Sequence, residues 1–170
     1  MNALAVLYLI LPFPLAFLLH DAEELAVQHH WMLKHKETLI ARFPKMRRVV
    51  EHLSRLNTKA FAIAATEEFV LLLVATAYVL IGGTYAMQIW AALFMAFSFH
   101  LLVHICQAIV VRGYVPGLIS TILLLPYAFF GMQSIYNVMS GMEIFGWGIA
   151  GVIAMVLNLI FAHFLGSLVK

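Results

Sequence analysis

Residues 85–111 read YAMQIWAALFMAFSFHLLVHICQAIVV and contain no Asp, Glu, Lys or Arg. A helix needs about 20 mostly apolar residues to cross the hydrocarbon core of a bilayer, so this stretch is long enough to span a membrane. Its two histidines, His100 and His104, are four residues apart, which places both on one face of a helix. The segment therefore predicts a membrane-spanning helix that carries imidazole groups on one side.

The rest of the chain is also apolar. Of its 170 residues, 64% are hydrophobic and 11% are charged, and the mean hydropathy is +0.98, whereas a soluble domain carries about 25% charged residues. A core of this size cannot bury such an excess, so lipid must solvate the remainder. We therefore predict one domain, residues 1–170, folded as an all-α membrane helix bundle. The five predicted spans are residues 3–31, 60–81, 85–111, 115–134 and 144–168.

A basic segment separates the first two spans. Residues 34–59 contain eight of the ten Lys and Arg residues of the chain, which by the positive-inside rule places this segment in the cytoplasm. Alternation from there predicts an N-terminus outside and a cytoplasmic C-terminus, in the plasma or inner membrane of the cell. Apolar residues recur at helical spacing opposite the bases and predict an amphipathic segment broken near Pro44, although a plain connector also fits. These residues are Leu39, Phe43, Met46, Val50 and Leu53.

Charge and cysteine usage exclude several classes of protein. Because the bases are concentrated in one segment, no basic face is available for a phosphate backbone, and nucleic acid is not an expected partner. The single cysteine, Cys106, excludes an internal disulfide framework and Cys-based zinc sites. Any metal would need His and carboxylate ligands. The expected partner is the lipid bilayer, and the sequence leaves a homo-oligomer open.

Ionisable side chains occur inside the predicted spans. At bilayer depth each costs on the order of 2.5–3.5 kcal/mol, and such groups usually carry function. Counted at 1.5 Å per residue from the basic segment, they lie at similar depth in the cytoplasmic half. The sequence does not decide which of Glu67 and Glu68 faces inward. The candidate metal ligands are His20, Glu23, Glu24, Glu67, Glu68, His100 and His104, with Gln107, Asn158 and His163 in reserve.

This set of donors predicts a metal centre. Zinc, iron and manganese ions take imidazole nitrogen and carboxylate oxygen, and helix bundles hold such sites with one or two ions. The ligand number suits one divalent transition metal with a general base, or a dinuclear centre. The candidate catalytic bases are Glu23, Glu24 and Glu68. A metal-free proton relay and a purely structural polar network remain alternatives.

Small residues suggest which helix faces pack closely. On the last span, residues at a four-residue spacing run from Gly146 through Ala150, Ala154 and Asn158 to Ala162. Such stripes let helix backbones approach one another. Near the inner end of the fourth span, Tyr114, Ser120 and Thr121 could line a headgroup pocket, although polar residues at the end of a span are usually interfacial.

Residues 20–24 read HDAEE, which is the pattern HxxEE at the first membrane span. Further along, His104 is followed by an Arg-x-Tyr-x-Pro-Gly stretch at residues 112–117. In both features the chain resembles the HXXEE-domain family of small, predominantly bacterial membrane proteins of uncharacterised function. The resemblance covers most of the chain and supplies no reaction. It implies membrane residence and importance for His20, Glu23, Glu24 and His104.

The third span departs from the family pattern. Members of the family carry Asn at spacings of four before the final His, and this chain has Ala96 and His100 there. The resemblance therefore transfers to His104 directly. His100 is either an added ligand or a replacement for an amide.

The predicted function is that of a metal-dependent membrane enzyme acting on a lipid or another hydrophobic substrate. Hydrolysis by metal-activated water is favoured slightly over a di-metal oxidase. A metal or proton transporter is an alternative, although transport needs polar groups along the whole path and the outer halves of the second and fifth spans offer almost none. A structural or regulatory membrane subunit with a metal-free polar network is the third candidate.

Overall fold

Six α-helices make up most of residues 6–168, the part of the chain that the computed structural model describes. A π-helical turn, Val6–Ile10, precedes the first helix, and a short 3-10 turn, Pro44–Met46, follows it. Within these residues there is no strand, so the all-helical prediction is confirmed. The helices are α1 (Pro12–Arg42), α2 (Arg47–Arg55), α3 (Thr58–Leu80), α4 (Ala86–Val111), α5 (Leu118–Val138) and α6 (Gly141–Ser167).

Four of these helices, α3 to α6, are long and apolar enough to cross a membrane. Their bounds lie within a few residues of the last four predicted spans. The first predicted span falls largely in α1, which carries several ionisable residues and is not among these four helices. The chain is therefore a membrane protein built as a helical bundle. The predicted start of the first span at residue 3, and Lys170, lie outside the described residues. The orientation of the termini remains a prediction.

The first helix is longer than the predicted span, since it continues to Arg42 instead of ending at residue 31. Residues beyond 31 include Leu, Lys and Glu, which favour a helix, and Pro44 then stops it because the residue before a proline avoids the helical region. Pro12 and Pro14 lie in the first turn, where a missing N–H breaks no helical bond.

The helix α2, in the second half of the basic segment, folds back onto the end of α1. A small apolar cluster consists of Met32 and Ile40 from α1 and Val50 from α2, with Leu39 and Leu53 packed against it. The polar face of α2 is exposed. This contact fixes the end of α1 that carries most of its basic residues.

Aromatic packing sets the register between α1 and α4. The Phe13 ring meets the Trp90 ring edge-on at 6.3 Å and the Phe94 ring edge-on at 5.3 Å, and all three side chains are almost completely buried. Such edge-to-face pairs add to the area that the rings bury. Two helical turns after Phe13, His20 also contacts α4, with its ring 6.0 Å from that of Phe97. The aromatic cluster therefore holds His20 against the histidine-bearing face of α4.

The predicted packing stripe on α6 is wrong for its first three members. Gly146, Ala150 and Ala154 are exposed, and α6 instead approaches its neighbours through Gly151 and Gly166. A four-residue step advances about 400° around a helix, so each member is displaced by about 40° from the last. Over five members the stripe rotates from the lipid face to the bundle face, and only its end at Asn158 and Ala162 lies inward.

Replacing Gly151 by alanine should lower the free energy of unfolding in detergent by about 1–3 kcal/mol, because overpacking a close contact forces the backbones apart. A Cβ at Gly151 would overlap the carbonyl oxygen of Ala92 on α4. Gly146→Ala is the matched control, since a Cβ there meets nothing within 4 Å. Thermal unfolding of both variants tests the contact. Equal stability of the two would contradict the assigned α4–α6 interface.

Candidate metal centre

Three imidazole groups converge between α1 and α4. His104 Nε2 lies 3.2 Å from His20 Nε2 and 2.9 Å from His100 Nε2. His20 is completely buried and His104 is 4% exposed. The spacing of His100 and His104 at i and i+4 puts both on one face of α4, and the aromatic cluster brings His20 to that face.

The carboxylate of Glu24 completes the group. Its Oε1 lies 3.5 Å from His104 Nε2, and one ligand atom from each of the four residues lies within 4.8 Å of all the others. Because Glu24 follows His20 by four residues, the two side chains project from the same face of α1. The structure thus brings together His20, Glu24, His100 and His104.

Hydrogen bonds alone cannot account for how closely these four groups approach one another. A neutral imidazole nitrogen carries either one hydrogen or one lone pair, so His104 Nε2 makes at most one linear hydrogen bond, yet two nitrogens and one carboxylate oxygen face it. Ligands about 2.05 Å from a tetrahedral ion are about 3.3 Å apart, close to the two nitrogen separations observed. Three nitrogens and one carboxylate are also the donors that zinc and similar ions prefer. The four residues could therefore hold one metal ion.

A hydrogen bond from α5 orients the His20 ring. The hydroxyl of Ser120 donates to the carbonyl oxygen of Gly117 at 3.2 Å, so its oxygen accepts from the Nδ1–H of His20 at 3.0 Å. That tautomer leaves the lone pair of His20 on Nε2, facing the other two imidazoles. Partners of this kind fix ring orientation and raise ligand affinity in metal sites.

Gly117 lies directly against the site. Its φ is +81°, a left-handed conformation that favours glycine. A Cβ there would lie 2.9 Å from Cε1 of both His20 and His104. The backbone of the α4–α5 loop therefore forms one wall of the centre, and only glycine leaves room for the two rings.

The Glu23 carboxylate does not face the histidines as Glu24 does, but contacts the beginning of α5. Its Oε2 accepts from the backbone N–H of Ser120 at 2.6 Å, and its Oε1 accepts from the N–H of Ile119 at 3.2 Å and from the Tyr114 hydroxyl at 2.8 Å. The carboxylate thus caps the N-terminus of α5, where free N–H groups and the helix dipole favour negative charge. Partial burial and the bond to Glu23 raise the pKa of Tyr114 to about 12, which keeps this phenol protonated and donating.

Glu67 and Glu68 diverge on α3. Glu67 Oε2 accepts a hydrogen bond from the Asn158 amide of α6 at 3.1 Å, so it lies away from the histidines. Glu68 lies close enough to Asp21 and Glu24 to interact with both electrostatically. Its Oε1 is buried and makes no hydrogen bond to any described residue. Glu68 is therefore the carboxylate of α3 that borders the site.

The remaining reserve residues lie elsewhere. Gln107 is exposed. The His163 ring lies 5.8 Å from that of His52, between α6 and α2. Neither residue belongs to the group of four.

Three residues near the centre were not among the sequence candidates. Asp21 is buried beside Glu68, although the sequence shows it only as a neighbour of His20. Ser120 was read as interfacial, and Gly117 entered only through the family resemblance. The signal that could have found the last two is the Pro-Gly pair before a new helix, which marks a tight turn followed by a helix N-terminus with no capping side chain in its own sequence.

The fold and the site together define a helical membrane protein with a buried His/Glu centre. The chain belongs to the family described as a protein of unknown function with HXXEE motif, whose model matches residues 11–131. The matched region contains the whole group of four and the Gly117 loop. Searches of curated proteins and of solved structures found no match.

Proposed function

We propose that this protein is a membrane enzyme that binds a divalent transition metal ion at His20, Glu24, His100 and His104 and hydrolyses an ester, amide or phosphoester bond of a lipid. The convergence of three imidazole Nε2 atoms on one point carries the proposal. Zinc suits the ligand set best. When bound, such an ion would act as a Lewis acid, and it would activate water once water displaces one of the four ligands or adds as a fifth.

The surrounding residues have distinct roles in this proposal. Ser120 fixes the His20 ring, and Glu23 holds the turn that presents Ser120. Glu68 is the proposed general base, because its buried oxygen lies beside Glu24 and is unpartnered within residues 6–168. A base must be within reach of the proton that it accepts. A lipid is the proposed substrate because the helices α3, α4 and α5 around the centre are long and apolar enough to cross a membrane.

A dinuclear oxidase is the second candidate. Asp21, Glu24 and Glu68 form a carboxylate group directly beside the histidines. Carboxylate-rich centres in helix bundles hold two iron or manganese ions. In this version, Asp21 and Glu68 would be ligands of a second ion.

Metal content tests the proposal. The full chain, purified in detergent without a His-tag and reconstituted with zinc, iron or manganese, should retain one ion, and His104→Ala should lose it. His163→Ala is the matched control, because it removes a histidine of a spanning helix outside the group and should keep the ion. The loaded protein should release hydrolysis products from phospholipid vesicles, and His104→Ala should not.

Each other outcome is informative. Two ions per chain with oxygen-dependent products would replace hydrolysis by the dinuclear oxidase. Absence of bound metal in the wild type after reconstitution, or equal loss in His163→Ala, would overturn the metal centre. A bound ion with no product from any lipid tested would favour the transporter.

A further inference from the structure

A cleft of about 640 Å³ lies between the second half of α1 and the end of α4. It is separate from the group of four and is large enough for part of a small ligand. Three of its lining side chains are cationic, namely Lys34, Arg42 and Arg112, and none of the lining residues is acidic. A cleft with this balance of charge attracts anions.

Arg42 links the two helices that form the cleft. Its Nη1 donates to the carbonyl oxygen of Val111 at the end of α4, at 2.9 Å. A guanidinium carries five N–H donors in a planar fork, so the group retains donors for a phosphate. Helix capping accounts for Arg42, but it does not account for Lys34 and Arg112 in the same cleft.

The walls between the cations are largely apolar. Trp31 and Leu39 of α1 and Val111 of α4 line the cleft. The cleft lies where the apolar span α4 ends, which is the level of lipid headgroups when α4 crosses the bilayer. Tryptophan is enriched at that level. A soluble anion such as phosphate has no apolar group that could contact these walls. A phospholipid would place its glycerol or acyl chains against them.

We propose that this cleft binds the phosphate of an anionic phospholipid from the leaflet on the side of the basic segment. Basic pockets between membrane helices bind anionic lipid headgroups, and juxtamembrane Lys and Arg each contribute about 1 kcal/mol near an anionic surface. This binding does not depend on the metal or on the proposed hydrolysis.

A series of hydrogen bonds also connects the cleft with the metal centre. Tyr114 lines the cleft and donates its hydroxyl hydrogen to Glu23, and Glu23 in turn binds Ser120, the partner of His20. Ala26 and Val27, at the inner end of the lining, follow Glu23 by one helical turn. A lipid held in the cleft would therefore lie one turn of α1 from the carboxylates of the HxxEE motif.

Native mass spectrometry of the full chain in detergent tests this proposal. The wild type should retain phosphatidylglycerol in preference to phosphatidylcholine and diacylglycerol. The double variant Lys34→Gln, Arg112→Gln should bind phosphatidylglycerol at least about tenfold more weakly, because two phosphate-facing charges are removed. Arg48→Gln removes an exposed base of the same segment that does not line the cleft, and should bind as the wild type does.

The other outcomes overturn the proposal. Equal binding by the wild type and the double variant would remove the cleft as the site, and equal loss in Arg48→Gln would show diffuse surface attraction. Complete displacement of the lipid by millimolar inorganic phosphate would identify a soluble phosphate ligand instead. Should the double variant not fold, Arg112→Gly replaces it, because Arg112 has a left-handed φ of 59° that glycine adopts readily. The metal content of the same samples separates failure here from failure of the metal centre.

Discussion

Replacing Gly117 by alanine should remove the metal ion and lower the free energy of unfolding by about 2–4 kcal/mol. Two effects add at this position. The left-handed φ of +81° disfavours any residue with a Cβ, and that Cβ would lie 2.9 Å from the rings of both His20 and His104. The rings would have to move apart, and ligand displacement of this kind should reduce metal affinity by at least about hundredfold. Metal per chain and thermal unfolding in detergent measure the two effects.

Gly113→Ala is the matched control for this prediction. Gly113 lies in the same loop, its φ is not left-handed, and a Cβ there meets nothing within 4 Å. We expect this variant to keep its metal and its stability. If Gly117→Ala binds metal as tightly as the wild type, the two rings do not meet at the α4–α5 loop and the assigned centre is wrong.

The membrane helices could be predicted because hydropathy is a local property of the chain. The composition of residues 85–111 predicts α4 without information from any other segment, and the structure places the helix at Ala86–Val111. The far end of α1 could not be predicted in this way. Its last residues mix polar and apolar types, and they are helical because of their propensity, the stop at Pro44 and the packing of Ile40 against Val50.

Side chains on one face of a helix point in only roughly the same direction. Sequence spacing therefore does not predict which partner each of them contacts. His20, Glu23 and Glu24 satisfy the same i, i+3 and i+4 rule, yet successive residues differ by about 100° around a helix. That difference directs Glu24 to His104 and Glu23 to the N-terminus of α5. The choice depends on where α5 begins, which is a tertiary feature. The same applies to Glu67, which accepts a hydrogen bond from Asn158 of α6, and to Glu68, which lies beside the carboxylates of α1.

Replacing Glu23 and Glu24 separately by glutamine should weaken metal binding in both cases but destabilise the metal-free protein only in Glu23→Gln. Glu23→Gln should lower the free energy of unfolding of the metal-free protein by about 1–3 kcal/mol, because glutamine keeps only one acceptor oxygen and its N–H₂ group would face the backbone N–H of either Ile119 or Ser120. Its metal affinity should fall by about 10–100-fold, since Ser120 would no longer hold His20 in place.

Glu24→Gln should lose the metal ion and leave the metal-free protein at least as stable as the wild type. Without an ion, burial and the neighbouring acidic groups Asp21 and Glu68 make the charged form of Glu24 costly, and glutamine removes that cost. Thermal unfolding after chelation, measured beside metal content, distinguishes the two variants. If the centre binds a metal, Glu23→Gln should lower the stability of the metal-free protein, whereas Glu24→Gln should lose the metal without losing that stability. A polar network that serves only packing predicts that Glu24→Gln destabilises the metal-free protein as much as Glu23→Gln does, because in that case both carboxylates would contribute through the hydrogen bonds they accept.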